Sequence, residues 1–208
     1  MIKDSRNILK RVNHLQEGDS SRELYDDWSA NYDSHLVEDF GYISPQIAVQ
    51  TLISQTCPRD ASIIDYGCGT GLVGEELHQQ GFRNVDGVDI SSGMLKRAGD
   101  KGVYRNLICR DLTARLALED SVYDVAICVG SMGAGHVGAE HVAQLLRPLR
   151  SGGLFIITIN NMHFAPEGFE QAFRYLQDCG MWEVVLLEEF NYMTQLERPG
   201  WLLLAKKT

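Results

Sequence analysis

The 208-residue sequence has no long apolar run; its longest uninterrupted stretches, Val125–Val129 and Trp201–Ala205, span five residues each. A helix that crosses a bilayer needs about 20, so no membrane span is expected. Cysteines number five, an odd set with no Cys-x-x-Cys pair, which suits reduced cytosolic thiols better than a disulfide framework. His-Glu-x-x-His is absent and His136 and His141 stand in no ligand spacing, so no zinc site is expected. Positive charge is also short: 19 Lys and Arg face 28 Asp and Glu, a formal charge of −9. Nucleic acid is therefore disfavoured as a partner, because phosphate binding rests on Lys and Arg. The one basic segment, from Lys96 and Arg97 through Lys101, Arg105, Arg110 and Arg115, reads as a solvated face. The first ten residues are polar and lack the apolar stretch of a secretory signal. Repeats, low-complexity tracts and interdomain linkers are missing as well. The expectation is a cytoplasmic monomer, with access to the nucleus left open.

What is present is ordinary for a folded chain: 44% hydrophobic and 23% charged residues, a balance that argues against disorder. The length is a little over one domain. Residues 1–55 read as a helical cap. Ser20-x-x-Glu23 is a possible capping box, and Tyr25, Trp28 and Tyr32 fall on one helical face. A further helix starts near Pro45, with Ile47, Ala48, Leu52 and Ile53 on its buried side.

Over residues 56–208 short apolar runs alternate with helical segments. Strands are expected at Ser62–Tyr66, Val85–Asp89, Tyr104–Cys109, Tyr123–Val129 and Leu154–Ile159. Helices fit Leu72–Gln80, Ser91–Gly99, Leu112–Leu116, Gly138–Leu149 and Glu167–Asp178. Runs without polar alternation, such as Val125-Ala-Ile-Cys-Val129, suit strands covered on both faces. Strand and helix taking turns implies α/β architecture with a parallel sheet and right-handed crossovers. Trp182–Phe190 and Trp201–Lys206 have no helix between them and should pair antiparallel at one edge.

The strongest motif is Ile63-Ile-Asp65-Tyr-Gly67-Cys-Gly69-Thr-Gly71-Leu-Val-Gly74, at the first strand-to-helix turn. Ligands bind such sheets at the carboxyl ends of the strands, where glycine lets backbone approach closely. Gly69-x-Gly71-x-x-Gly74 followed by Asp89 formally fits a dinucleotide fingerprint. Alternatively, Gly67, Gly69 and Gly71 form the loop and Asp65 leads it. A carboxylate there sits badly beside a pyrophosphate but well beside a cation, and S-adenosylmethionine carries an ammonium and a sulfonium and no phosphate. Asp89, at the end of the second strand, can accept from both ribose hydroxyls of either nucleoside. Asp111, after the third strand, can accept from an adenine amino group.

Asp-x-Gly-x-Gly-x-Gly, an acid ending strand two and Asp-Leu after strand three resemble the class I S-adenosylmethionine-dependent methyltransferases. Leu146–Leu154 is similar to that family's turn into strand five. The resemblance covers residues 61–208 and implies a Rossmann-like, seven-stranded, mostly parallel sheet with an antiparallel last strand, helices on both faces and an N-terminal helical extension. Tyr25-Asp-Asp-Trp-Ser-Ala-Asn-Tyr32-Asp33, Gly130–Val137 and Gly180-Met-Trp-Glu183 resemble a narrower group, the Williams–Beuren syndrome region methyltransferase-like proteins. The resemblance implies S-adenosyl-L-methionine as cofactor and S-adenosyl-L-homocysteine as its product. It assigns Asp65, Gly67 and Gly69 to the methionine moiety, Asp89 to the ribose, and Ile90, Met94, Asp111 and Leu112 to the adenine. Cys68, Tyr25, Tyr32 and Val129 would complete that site.

Methyl transfer from a sulfonium needs little acid–base help, since alignment of the nucleophile supplies much of the rate. The acceptor would approach the Val129–His136 loop, where His136 is the candidate base. That loop lacks the Asn/Asp-Pro-Pro-Tyr/Phe signature associated with adenine N6 methylation. A small molecule or a protein side chain is the favoured acceptor. Two alternatives stand beside an active methyltransferase: a catalytically silent cofactor-binding module acting through a partner, and a nicotinamide-dependent oxidoreductase. Against the latter, none of the eight tyrosines begins a Tyr-x-x-x-Lys.

Overall fold

The computed structural model describes residues 5–13, 21–133 and 135–208. Ser20, and with it the capping-box reading, lies outside the described residues. The elements run α1 (Ser5–Asn13), α2 (Ser21–Trp28), a π-turn at Ser34–Asp39, α3 (Ser44–Ile53), β1 (Ile63–Tyr66), α4 (Leu72–Gln79), β2 (Val85–Asp89), α5 (Ser92–Lys101) and β3 (Asn106–Cys109). They continue as β4 (Tyr123–Met132), α6 (Val142–Leu145), β5 (Leu149–Asn160), α7 (Asn161–Phe164), α8 (Phe169–Asp178), β6 (Trp182–Met193) and β7 (Arg198–Lys207).

All seven strands form one sheet in the order β3-β2-β1-β4-β5-β7-β6. The first five are mutually parallel, and β7 enters antiparallel between β5 and β6. This is the mixed sheet with inserted last strand that the sequence implies. The strands bury both faces. Ile64, Tyr66, Ala126, Cys128, Phe155 and Ile157 point to one core with Phe169, Phe173 and Trp182. Ile63, Val125, Ile127 and Ile156 point to the other, shared with Trp28, Ala48, Leu52 and Leu77. The alternation of strand side chains explains why apolar runs here carry no polar phase. The N-terminal helices thus share one continuous core with a sheet face.

Four expectations need correction. The helix expected over Gly138–Leu149 is reduced to a 3-10 turn at Ala139–His141 and the short α6, and Leu149 already belongs to β5. Leu112–Leu116 is not a helix. The Asp111 carboxylate accepts from Thr113 N (2.8 Å) and Thr113 Oγ1 (2.7 Å), closing a side-chain turn that competes with helical bonding. Leu112 and Leu116 still bury, and their carbonyls accept from Gln144 Nε2 and Arg147 Nη2 instead. Ile53 lies on the exposed side of α3. The basic segment is not simply solvated, since Lys101 pairs with Asp33 (2.7 Å) and Glu75 (2.6 Å), and Arg105 pairs with Asp86.

Candidate functional site

Strand order reverses at β1, which β2 and β4 flank, and ligand crevices open at such points beyond the strands' carboxyl ends. A cavity of about 750 Å³ lies there, within the size range of cofactor sites. Gly67 (φ +68°) and Gly69 (φ +54°) turn the chain sharply out of β1. A Cβ on Gly67 would collide with Ser131 Oγ, whereas one on Gly69 would meet nothing within 4 Å. The left-handed backbone demands glycine at both.

Asp89 ends β2 and ties two elements together. Its Oδ2 accepts from Gly69 N (2.9 Å) and its Oδ1 from Ser91 N (2.8 Å). Burial raises its pKa, against the pull of those backbone donors. A carboxylate has about four acceptor positions, so capacity remains toward the cavity that it lines. Ser91 caps α5, accepting from Met94 N (3.0 Å). Beyond Asp89, the wall continues through Ile90, Met94, Asp111 and Leu112, and includes Val129 of β4. Tyr25, Tyr32, His136, Arg22, Glu140, His141 and Glu167 line the cavity as well.

Eleven of the thirteen residues singled out from the sequence line this cavity; Asp65 and Cys68 do not. Asp65 lies behind the loop, 1% exposed, where its Oδ2 accepts from Tyr104 Oη (2.7 Å). Burial drives the Asp65 pKa up to about 7, against that hydrogen bond. Its Oδ1 has no partner among the described residues. Cys68 is buried too, and burial keeps its thiol well above the ordinary range, so it is not a thiolate.

Tyr104 is the residue that sequence reasoning missed. Its ring occupies the space that Cβ atoms on Gly71, Gly74 and Gly87 would need, and its hydroxyl accepts from Gly74 N (3.1 Å). Gly74 therefore makes room for a tyrosine rather than for a ligand, which removes it from the dinucleotide fingerprint.

His136 Nε2 lies 2.7 Å from Tyr25 Oη, with the rings edge to face at 5.5 Å. Burial raises the Tyr25 pKa, so the hydroxyl keeps its proton while it pairs with Nε2. Asp26 anchors α2 by accepting from Ser91 Oγ and from Gly93 N (2.8 Å) at the start of α5. Asp33 accepts from Thr70 Oγ1 in the glycine loop. Trp28 is 2% exposed and donates to His35 Nδ1 (3.0 Å), a core position rather than a cavity wall for the large site. No group of His, Cys, Asp and Glu among the described residues could hold a metal. None of their helices is long and apolar enough to cross a membrane.

A glycine turn between parallel strands, an acid on the second strand and an apolar slot beyond it define a nucleoside-binding α/β domain. Comparison with known proteins specifies the class. Residues 63–153 match the family model described as a methyltransferase domain. The chain is 34% identical over 167 residues to human methyltransferase-like protein 27, covering 77% of this chain and 67% of that one. It is 32% identical over 115 residues to the 18S rRNA (guanine-N(7))-methyltransferase RID2 of Arabidopsis thaliana, covering 52% of this chain but only 38% of that protein. Among solved structures, it resembles a chain of the complex between the Haloferax volcanii Trm112 methyltransferase activator and a methyltransferase. The TM-score is 0.66 at 18% identity, covering 88% of this chain and 97% of that one, a likeness of fold. The chain belongs to the class I S-adenosylmethionine-dependent methyltransferases.

Proposed function

We propose that this chain transfers a methyl group from S-adenosyl-L-methionine to a small molecule or a protein side chain, with residues 1–55 acting as a cap over a domain of residues 56–208. The observation that carries the reading is the single cavity that gathers the glycine turn, Asp89, Asp111 and the apolar slot between them. The residues fit the cofactor. Asp89 takes the ribose hydroxyls, Ile90, Met94 and Leu112 hold the adenine ring, and Asp111 accepts from its amino group. The open space above Gly69 admits the methionine end.

When bound, the cofactor supplies an activated methyl group. The chain's own contribution is to hold the acceptor in line at about 3–3.5 Å and to exclude water. Tyr25 and Tyr32 offer aromatic faces beside the place of a sulfonium, an arrangement that attracts cations.

Calorimetry tests this without knowledge of the acceptor. S-adenosylmethionine and S-adenosylhomocysteine are expected to bind in the micromolar range, about −8 kcal/mol, and NAD to give no signal. NAD binding without S-adenosylhomocysteine binding would overturn the reading.

A further inference from the structure

We propose that Tyr104 is a positioning residue for the cofactor: its hydroxyl joins the two ends of the glycine turn and so holds in shape the surface that receives the methionine end. The inference rests on the reading of the large cavity as the cofactor's place. Tyr104 stands in the connection between α5 and β3. Its Oη donates to Asp65 Oδ2 (2.7 Å), which precedes the turn, and accepts from Gly74 N (3.1 Å), which follows it. Burial holds the Tyr104 pKa well above its ordinary value, so the hydroxyl keeps the proton it offers to Asp65.

Each end of the turn needs this partner. Gly71 is the N-cap of α4 and has no side chain with which to cap it. Gly74 N belongs to the first helical turn, whose N–H groups find no acceptor within the helix. A tyrosine distant in sequence supplies that acceptor. At the other end Asp65 is buried and its Oδ1 has no partner among the described residues, so the Tyr104 hydroxyl is what orients the carboxyl. The ring reaches this position because Gly71, Gly74 and Gly87 leave it room. Between the two ends, Gly67, Gly69 and Gly71 all have positive φ, a stretch of backbone with wide freedom when nothing holds it.

Other ties hold single residues of the turn. Asp89 accepts from Gly69 N (2.9 Å), Ser131 Oγ donates to Gly67 O (3.2 Å) and Asp33 accepts from Thr70 Oγ1. Asp89 and Ser131 line the large cavity, whereas Tyr104 lies outside its wall. Loss of the Tyr104 hydroxyl therefore removes no contact with a ligand there and acts through the turn alone. A backbone ordered in advance spares the ligand the entropy of ordering it on binding. The penalty for losing that order falls on the part of a ligand that rests on the turn. The nucleoside rests instead on Asp89, Ile90, Met94 and Leu112, beyond the turn.

The test compares S-adenosylhomocysteine with methylthioadenosine, which keeps the nucleoside and the sulfur but lacks the amino-acid end. Tyr104→Phe leaves the ring among the glycines and deletes both hydrogen bonds of the hydroxyl. By calorimetry it should weaken S-adenosylhomocysteine about fivefold while methylthioadenosine holds within about twofold, in line with the worth of lost hydrogen bonds. In the unmodified protein, amide exchange followed by NMR should slow severalfold at Gly74 on adding S-adenosylhomocysteine, and much less on adding methylthioadenosine. An unchanged S-adenosylhomocysteine affinity in the variant reduces Tyr104 to a ring that fills space and overturns the proposal. Equal weakening of both ligands makes it a general support of the fold and overturns it as well. Should the variant not fold, the exchange measurement decides, and equal slowing by both ligands rejects the role. Failure of S-adenosylhomocysteine to bind the unmodified protein instead overturns the reading of the large cavity, and the role of Tyr104 falls with it.

Discussion

At the scale of single residues, the two acids first singled out divide their work differently from what the sequence implies. Asp89 faces the cavity and ties the glycine loop to the turn before α5, accepting from Gly69 N and from Ser91 N. Asp89→Ala should weaken S-adenosylhomocysteine by about 1.5–3 kcal/mol, the range for hydrogen bonds to charged groups; an unchanged dissociation constant from calorimetry would contradict the ribose assignment. Asp65 is sealed under the loop with its pKa raised to about 7 by burial. Between about pH 4 and pH 7 the folded chain retains a proton that the unfolded chain has lost, so this group's favourable contribution is present at low pH and disappears as pH rises. Urea unfolding should therefore show Asp65→Asn gaining stability relative to the wild type on going from pH 5 to pH 8, by a few kcal/mol at most. A constant difference across that range would place the Asp65 pKa near its ordinary value. Position Asp89 was legible because a carboxylate ending the second strand of a parallel sheet faces the ligand crevice. The role of Tyr104 was not, since its ring meets Gly71, Gly74 and Gly87 only once α4, α5 and β2 are folded together.

At the scale of elements, α2 deserves its own prediction. It is eight residues long, too short to be stable without tertiary packing. Its contacts divide between core and site: Leu24 and Trp28 bury, Asp26 grips the start of α5, and Tyr25 faces the cavity. A ligand that touches Tyr25 and Tyr32 shifts the population toward the docked helix. Hydrogen exchange over residues 21–32 should therefore slow when S-adenosylhomocysteine is added; equal protection with and without it would make α2 a plain core element. Asp33→Ala, which cuts the tie to Thr70 and Lys101, should enlarge the difference. The strands were legible from apolar runs bounded by turns, and β2 falls on its expected limits. The segment 112–116 was misread because leucines four apart fit a helix, while the competing bonds of Asp111, Gln144 and Arg147 come from outside the pattern.

At the scale of the whole molecule, cofactor and fold are linked through mass action. A ligand at about 100 times its dissociation constant adds about 2.7 kcal/mol to stability. For a chain of this length that amounts to a rise of roughly 5–10 °C in Tm. Differential scanning fluorimetry should show it with S-adenosylhomocysteine and not with NAD, and a flat response to both would argue against the site.

The sheet itself carries a consequence for how the chain is made. Strand β7 is synthesised after β6 yet lies inside it, hydrogen-bonded to β5 on one side and β6 on the other. Until those residues leave the ribosome, β5 presents Phe155, Ile156 and Ile157 along an open edge, and β6 has no neighbour to join. Unpaired apolar edges are templates for wrong pairing. The nascent chain thus passes through an interval of aggregation risk that ends only with translation of its last strand, and a stop codon before Arg198 would make that interval permanent.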